Sequence, residues 1–354
     1  MKMADNPFTI SFGIEPTEYI SRYSETSEII DTFTADKASN HAYMITGVRG
    51  SGKTVMLASI TEKLAEDENW IVVNTIPDTD ILQSIASKLY SIKDLRKNFV
   101  AANFDFSAFG LGVHIENGNP IYDIGTALEC MVGEIAKKGK RLLISIDEII
   151  NNDYVKVFAG TFQMLLRQKL PVYLLMTGLY DNIYNLQNEK TLTFLYRAPK
   201  IMLEPLSVNS ITRSYKNIFN LDTETAQTMG KLTKGYAFAY QVLGYLFWKK
   251  YGSNSKDADL NSVLPQYDDY LENYVYEKIW FELSPKEKEI IGLIIKNGEM
   301  KIADIRNAIN INSSNMSVYR ERLKYKGLVD VSHYGYLSLK LPRFAEIIQM
   351  RLDY

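Results

Sequence analysis

The sequence predicts an α/β fold whose core is a parallel sheet covered by helices. Two observations lead to this prediction. Short apolar runs alternate with segments of helical periodicity over the first two thirds of the chain, which is typical of parallel strands buried between helices. After Pro205 the strand-like runs stop and helix patterns continue alone to residue 281. A smaller unit of helices and strands then completes the chain.

Five apolar runs are the candidate strands of the sheet. They are Ala42 to Thr46, Trp70 to Ile76, Arg141 to Ile146, Pro171 to Met176 and Lys200 to Leu203. Helical spacing of apolar residues follows the first two strands, over Thr54 to Glu66 and Asp80 to Leu89. Between the second and third strands, Phe104 to Asn119 alternates polar and apolar residues and contains glycines. This segment predicts an inserted β-hairpin.

The helical part covers residues 205–281 and follows the core, residues 1–204. Its candidate helices are Val208 to Phe219, Asp222 to Leu232, Tyr236 to Lys250 and Leu264 to Phe281. The last unit, residues 282–354, opens with Ser284, then Pro285 and Glu287, the pattern of a capping box.

Two further helices of the last unit follow, over Lys301 to Ile309 and Ser313 to Lys326. A strand pair with its turn at Tyr334 and Gly335 then closes the unit. This order of elements predicts a winged helix-turn-helix.

Composition excludes several classes of protein. Apolar residues make up 46% and charged residues 23%, which excludes disordered, collagen-like and coiled-coil chains. A single cysteine and three scattered histidines argue against a disulfide framework and a zinc centre. The N-terminus has no signal-peptide pattern, and no apolar run is long enough to cross a membrane. We therefore expect a cytoplasmic protein without a membrane partner.

A phosphate-binding loop lies between the first strand and the first helix. Gly47-Val48-Arg49-Gly50-Ser51-Gly52-Lys53-Thr54 matches G-x-x-x-x-G-K-[ST] in the structural context that this motif requires. Its glycines let successive backbone amides surround phosphate oxygens at a helix N-terminus. Lys53 supplies a charge between the β- and γ-phosphates, and the Thr54 hydroxyl is a Mg²⁺ ligand. The alternative, a chance glycine turn before a helix, is disfavoured by this context.

Two carboxylates follow the third core strand. Asp147 and Glu148 end the apolar run Leu142 to Ile146, and the carboxyl end of a parallel strand faces the ligand crevice. We therefore expect Asp147 to lie on the Mg²⁺ side of a nucleotide and Glu148 to position the attacking water. The alternative is an N-cap pair for the next helix.

With a further strand that ends in Thr177, these motifs resemble the AAA+ and STAND ATPases. The chain is most similar to the archaeal-type ATPases and the origin-recognition replication-initiator ATPases. The resemblance covers nearly the whole chain and implies a P-loop NTPase core of the AAA+ type, a helical lid and a winged helix. It also implies ATP and Mg²⁺ as cofactors, with ATP or ADP bound. Lys53, Thr54, Asp147 and Glu148 match the two Walker motifs of the family, and the loop residues Gly47, Arg49, Gly50, Ser51 and Gly52 belong to the first of them.

The resemblance implies roles for further residues, each with a simpler alternative. Thr177 is at the position of the first sensor, although a strand-end hydroxyl can also cap the next turn. Arg197 is where the family can carry an arginine finger. Such an arginine would act on the γ-phosphate of a neighbouring subunit in a homo-oligomer, or within the same chain in STAND-like relatives. The alternative is a surface arginine. Ile14 and Arg22 lie in the segment that contacts adenine in the family, or in an N-terminal strap over the core.

The chain departs from replication initiators at the second sensor. Their arginine at the start of a lid helix is missing from Thr233 to Tyr240, where Lys234 is the nearest cation and Gly235-Tyr236 resembles the turn of STAND proteins. This departure predicts slow hydrolysis.

The last unit carries the local positive charge of an otherwise acidic chain. Residues 282–354 contain twelve Lys and Arg against nine Asp and Glu, a net charge of +3, while the whole chain has −2. On its third helix the predicted phosphate contacts are Arg320, Arg322 and Lys324, and the polar residues that could reach base edges are Ser314, Asn315 and Ser317.

Three hypotheses follow from this charge and from the nucleotide motifs. The first is an ATP-driven switch that binds double-stranded DNA through the winged helix. The alternative is a STAND-like signalling or assembly ATPase whose tail contacts protein. A metabolic kinase is the third and weakest, since no acceptor-binding domain accompanies the phosphate loop.

Overall fold

The computed structural model describes residues 5–11, 16–112, 118–189, 192, 195–253 and 258–352. They form two compact units. The first contains residues 22–46 and 53–201, and the second contains the N-terminal residues up to 21, residues 47–52 and the chain from residue 202 onward. The glycine-rich part of the phosphate loop thus belongs to the second unit. The division into core, lid and winged helix at residues 204 and 281 stays a prediction.

The first unit is a sheet with helices. Its strands are β1 (Ala42–Thr46), β2 (Trp70–Thr75), β3 (Phe104–Asp105), β4 (Asn119–Pro120), β5 (Arg141–Ile146), β6 (Val172–Gly178) and β7 (Lys200–Met202), whose last residue already belongs to the second unit. Its helices are α1 (Tyr23–Thr34), α2 (Lys53–Ala65), α3 (Ile81–Ser91), α4 (Lys93–Ala101), α5 (Ile124–Lys137), α6 (Asp153–Arg167) and α7 (Tyr180–Gln187). The five predicted core strands are all present, in the sheet order β2-β5-β6-β1-β7.

The central strands are buried along nearly their whole length. β1 and β6 are buried at every residue, and β5 at every residue after Arg141. Such continuous burial explains why their sequences are apolar runs without alternation. β5 pairs with β6 in parallel, with Ile146 opposite Met176. The residues that follow, Asp147 and Thr177, therefore lie side by side at the carboxyl edge of the sheet.

The predicted β-hairpin at Phe104 to Asn119 is wrong. β3 and β4 are two-residue strands that pair in parallel, whereas a hairpin needs antiparallel strands. The reason lies in the turn after β3, where the Asp105 carboxylate accepts a hydrogen bond from the Ser107 amide at 2.9 Å and starts a 3₁₀ turn. Phe106 is then buried against Phe99, with ring centroids 5.8 Å apart. Residues 113–117 of the predicted hairpin lie outside the described residues.

The second unit begins with helices. They are α8 (Val208–Phe219), α9 (Thr223–Leu232), α10 (Ala237–Tyr251), α11 (Leu264–Leu271) and α12 (Glu277–Glu282). The predicted helix Leu264 to Phe281 is interrupted by a π-turn over Glu272–Tyr276. The N-terminal segment packs on these helices, with Phe8 buried and its ring stacked on Phe219 at 5.6 Å.

The last part of this unit contains helices and a small sheet. Its elements are α13 (Pro285–Asn297), β8 (Met300–Lys301), α14 (Ile302–Ala308), α15 (Ser313–Tyr325), β9 (Val329–Asp330), β10 (Tyr336–Leu339) and α16 (Phe344–Leu352). β10 pairs antiparallel with both β8 and β9, which confirms the predicted strand pair. The predicted capping box is also confirmed, since Ser284 and Glu287 each accept the other's backbone amide. β8 and α16 are additions that the sequence did not predict. No helix among the described residues is long and apolar enough to span a bilayer.

Candidate nucleotide site

The first unit brings Asp147 and Thr54 together. Thr54 lies in the first turn of α2, and its hydroxyl donates a hydrogen bond to Asp147 Oδ2 at 2.8 Å. Asp147 follows β5 directly, as the sequence predicts. A hydroxyl and a carboxylate are hard oxygen ligands of the kind that Mg²⁺ prefers.

Thr177 fixes the other carboxylate oxygen of Asp147. Its buried hydroxyl forms a short hydrogen bond to Asp147 Oδ1 and accepts the backbone amide of Glu148 at 3.0 Å. The Glu148 amide also lies 3.1 Å from Asp147 Oδ1. Thr177 thus bonds to the residues after the neighbouring strand and does not cap its own turn.

Glu148 has a left-handed backbone and an exposed side chain. Its φ is +53°, a conformation that costs a non-glycine residue roughly 1–2 kcal/mol. The two bonds to its amide, and the bond from the Ile149 amide to the Thr177 carbonyl at 2.7 Å, stabilise it there. The N-cap of the next helix is Asn152, which accepts the Val155 amide at 2.9 Å. The capping alternative for Asp147 and Glu148 is therefore wrong.

The donor set of this unit fits a nucleotide-bound Mg²⁺. The described residues gather no group of three or more His, Cys, Asp or Glu side chains that could hold a metal alone. Mg²⁺ that accompanies a nucleotide needs no such group, because phosphate oxygens and water supply most of its ligands. One carboxylate and one hydroxyl, Asp147 and Thr54, suffice. Lys53, which begins α2, is only 8% exposed.

The glycine-rich part of the phosphate loop, residues 47–52, is described with the second unit. Gly50 and Gly52 have φ of +76° and +94°, as expected for a loop that curls around an anion. The Ser51 amide donates to the Val48 carbonyl at 3.1 Å, which closes a tight turn. A Cβ at Gly50 would collide with the hydroxyl of Tyr236, so glycine is required here by both conformation and space.

The start of helix α10 contacts this loop. The Tyr236 hydroxyl donates to the Arg49 carbonyl at 2.5 Å, and the Phe238 amide donates to the Gly50 carbonyl at 3.1 Å. Burial raises the pKa of Tyr236 well above its ordinary range, so the hydroxyl keeps its proton and remains a donor. Lys234 is exposed, and its ammonium group donates to the Leu339 carbonyl at 3.3 Å.

The role of Tyr236 was missed by reasoning from the sequence. The only signal was its position directly after Gly235, in the segment where the family carries its second sensor.

Two of the remaining predicted nucleotide contacts, Arg197 and Arg22, lie in the first unit. Arg197 ends a 3₁₀ turn before β7 and is exposed. Arg22 precedes α1 and is half-buried. Ile14 lies outside the described residues. Among the described N-terminal residues, the Thr9 amide donates to Gln241 Oε1 of α10, and Gln241 Nε2 donates to the Glu18 carbonyl.

The predicted DNA contacts on α15 fall into two groups. Ser314, Asn315 and Ser317 are exposed in its first two turns. The cations further along face acids of the same domain, since Arg320 lies 2.7 Å and Lys324 3.9 Å from Glu321.

Arg322 contacts a buried carboxylate on α13. It lies 3.7 Å from Glu287, which is fully buried and also pairs with Lys326 at 2.8 Å. Burial alone would raise the pKa of Glu287, but hydrogen bonds from Lys326 and the Ser284 amide outweigh it and hold that pKa below 4.5. Arg322 and Lys326 thus help to hold α15 against α13.

Comparison with known proteins gives one sequence match and several structural ones. Residues 273–348 match the model of a family described as a domain of unknown function, DUF8462. No curated protein matches the chain in sequence. The ORC2 protein of Aeropyrum pernix, in its ADPNP–ADP complexes, is similar over 97% of this chain and 98% of that chain, with 15% identity and a TM-score of 0.59. The chain has the fold of an archaeal ORC protein.

A second structure of the same protein agrees with this result. The ADP form of Aeropyrum pernix ORC2 covers the same shares of both chains at 15% identity, with a TM-score of 0.51. The predicted fold class, a P-loop α/β fold of the AAA+ type, is confirmed. At this identity the likeness is one of fold.

Proposed function

We propose that the protein is a Mg²⁺-dependent, slowly hydrolysing ATPase that uses its nucleotide state to control binding of double-stranded DNA. The observation that carries the ATPase part is the hydrogen-bonded cluster of Thr54, Asp147 and Thr177 at the carboxyl edge of the sheet. Thr54 is the last residue of the phosphate-loop motif, and the cluster supplies the hard oxygens that a nucleotide-bound metal needs. The bound nucleotides of the Aeropyrum ORC2 structures support the same ligand class.

Each residue of the cluster has a distinct role in this proposal. Lys53 and the loop amides hold the phosphates, and Mg²⁺ held by Thr54 and Asp147 would neutralise their charge. Glu148 is the exposed carboxylate that orients or deprotonates the attacking water. Thr177 positions both acids through its single buried hydroxyl. Arg197, exposed at the end of its 3₁₀ turn, would reach the nucleotide of a second copy in a homo-oligomer.

DNA binding is assigned to the winged-helix part of the chain. The exposed first turns of α15 present Ser314, Asn315 and Ser317, whose side chains can donate to and accept from base edges. Arg320 and Lys324 remain 40% exposed beside Glu321, and a phosphate can compete with that partner. Arg322 is better explained as a structural residue because its partner Glu287 is buried.

Fluorescence anisotropy with mixed-sequence duplex DNA tests this proposal. The protein is titrated with ATP, ADP or no nucleotide at two salt concentrations, together with Lys53→Ala, Arg320→Ala and Asn315→Ala. We expect salt-sensitive binding that depends on nucleotide, weakens in Arg320→Ala and loses its nucleotide dependence in Lys53→Ala. Lys296→Ala, on α13, serves as the matched loss of a positive charge outside α15.

A second candidate function is supported by the ion pairs of α15. Since its cations already face Glu321 and Glu287, and Val318 is 57% exposed among the polar residues of the first turns, this surface also suits a protein partner. ATP binding without DNA binding under any of these conditions would favour that STAND-like function.

A further inference from the structure

The outer side of the phosphate loop contacts three separate places in the later part of the chain. Val48, Arg49 and Gly50 make these contacts, all within the second unit. The first place is the start of α10, the second is the end of α12 and the third is the turn after α15.

The contact with α10 orients a peptide group of the loop. Tyr236 donates to the Arg49 carbonyl, and the peptide between Arg49 and Gly50 is planar and trans. The Gly50 amide therefore points away from Tyr236. By holding the Arg49 carbonyl on the α10 side of the loop, Tyr236 thus turns the Gly50 amide to the opposite side, where an anion would be bound.

The contact with α12 is an ion pair. Arg49 Nη2 lies 2.9 Å from Glu282 Oε1, with the two side chains 27% and 36% exposed. Glu282 is the last residue of α12 and stands two residues before Ser284, the N-cap of α13. A shift of Arg49 therefore acts on the junction that leads into the winged-helix part.

The contact with α15 is close packing. Gly327 directly follows the helix cap Lys326 and has a φ of +75°. A Cβ at Gly327 would lie only 3.1 Å from the Cβ of Val48. The backbone that ends α15 thus approaches the phosphate loop as closely as a glycine allows.

From these contacts we propose that the phosphate loop itself relays its nucleotide state to the winged-helix part, through the Arg49–Glu282 ion pair and the Val48–Gly327 contact. The inference rests on the proposed nucleotide binding and adds its route. A loop that rearranges around phosphates moves Val48 and Arg49, and these residues change the support of α12 and of the turn after α15. The same coupling is reciprocal, so weakening the far contacts changes nucleotide affinity.

Hydrogen–deuterium exchange of the full chain, with and without ADPNP and Mg²⁺, tests the relay. The variants are Glu282→Gln, which removes the ion pair, and Val48→Ala, which loosens the packing on Gly327. Glu272→Gln is the matched control, since it removes the same charge from the preceding π-turn. ADPNP affinity of each variant is measured in parallel by competition against a fluorescent ATP analogue.

In the wild type we expect ADPNP to change exchange in two peptides, one around residues 277–284 and one around 324–330. Glu282→Gln should reduce the change in the first peptide, and Val48→Ala should reduce it in the second. Both should shift ADPNP affinity by about 2- to 5-fold, as expected for a partly exposed ion pair or a single apolar contact. Glu272→Gln should behave as the wild type.

Three results would overturn the relay, and they are distinguishable. If ADPNP protects residues 53–57 but leaves both far peptides unchanged, nucleotide binding stands and the relay is wrong. If ADPNP changes no peptide and does not bind, the proposed nucleotide function fails together with the relay. If the exchange changes around residues 277–284 and 324–330 persist equally in both variants, these two contacts are also excluded as the route.

Discussion

Replacing Thr177 with valine tests how the acids of the candidate site are held. Valine has nearly the shape of threonine, so the substitution removes the hydroxyl without leaving a cavity. The hydroxyl bonds to the Asp147 carboxylate and to the Glu148 amide. Hydrogen bonds to a charged group contribute about 1.5–3 kcal/mol and neutral ones about 0.5–1.5 kcal/mol. Asp147 is half-buried and keeps its bond from Thr54. We therefore expect the free energy of unfolding to fall by about 2 kcal/mol, the lower end of the sum of these two contributions.

This loss should appear in both stability and activity. For a unit of this size, about 2 kcal/mol lowers Tm by roughly 4–8 °C, which thermal unfolding measures. ATP turnover should fall by about tenfold or more, because Glu148 loses one of the bonds that stabilise its left-handed backbone.

Thr61→Val is the matched control for this substitution. Thr61 is also buried, but its hydroxyl bonds only to a carbonyl within α2, that of Ala58. A Thr177→Val protein as stable and as active as Thr61→Val would refute the positioning role.

Two further predictions concern the second unit. Glu287→Gln should destabilise the last part of the second unit, residues 282–352, by about 2–4 kcal/mol, because it removes the buried carboxylate that pairs with Lys326. The pKa of Glu287 is lowered by folding, so the stability it contributes is present above about pH 4.5 and is lost as the pH falls through the folded pKa. The free energies of unfolding of the wild type and of Glu287→Gln, measured from pH 7 to pH 3, should converge as the pH falls. A difference between them that stays constant over this range would contradict the assignment. Gly50→Ala should weaken ATP binding by about tenfold or more, since it adds backbone strain and a collision with Tyr236. Gly139→Ala is the control, since Gly139 has a φ of +70° and open space around it. This variant should have a lower free energy of unfolding but the same ATP affinity in a titration.

Most of the sheet and its site could be predicted from local sequence. Strands such as Leu142 to Ile146 are buried on both faces, so their apolar runs are conspicuous. The carboxyl ends of neighbouring parallel strands meet at one edge of the sheet. This rule alone places Asp147 and Thr177 near each other, since they lie at the ends of the neighbouring strands β5 and β6.

The errors and omissions have tertiary causes. Alternating residues at Phe104 to Asn119 suggested a hairpin, but Phe106 is buried beside Phe99, and the chain turns into a 3₁₀ helix instead. The part played by Tyr236 depends on a carbonyl 187 residues away in sequence. Charge counting also could not show that Glu287 is buried beside Arg322; the DNA contact of Arg322 stays a prediction.

Equilibrium binding of a fluorescent ATP analogue tests the central claim most directly. The wild type and Lys53→Ala are titrated with Mg²⁺ and again with EDTA. Our account predicts saturable binding to the wild type that weakens when Mg²⁺ is removed, and a loss of at least about tenfold in Lys53→Ala, equal to about 1.4 kcal/mol. Equal affinity of the two proteins, or no binding to a folded wild type at millimolar nucleotide, would contradict it.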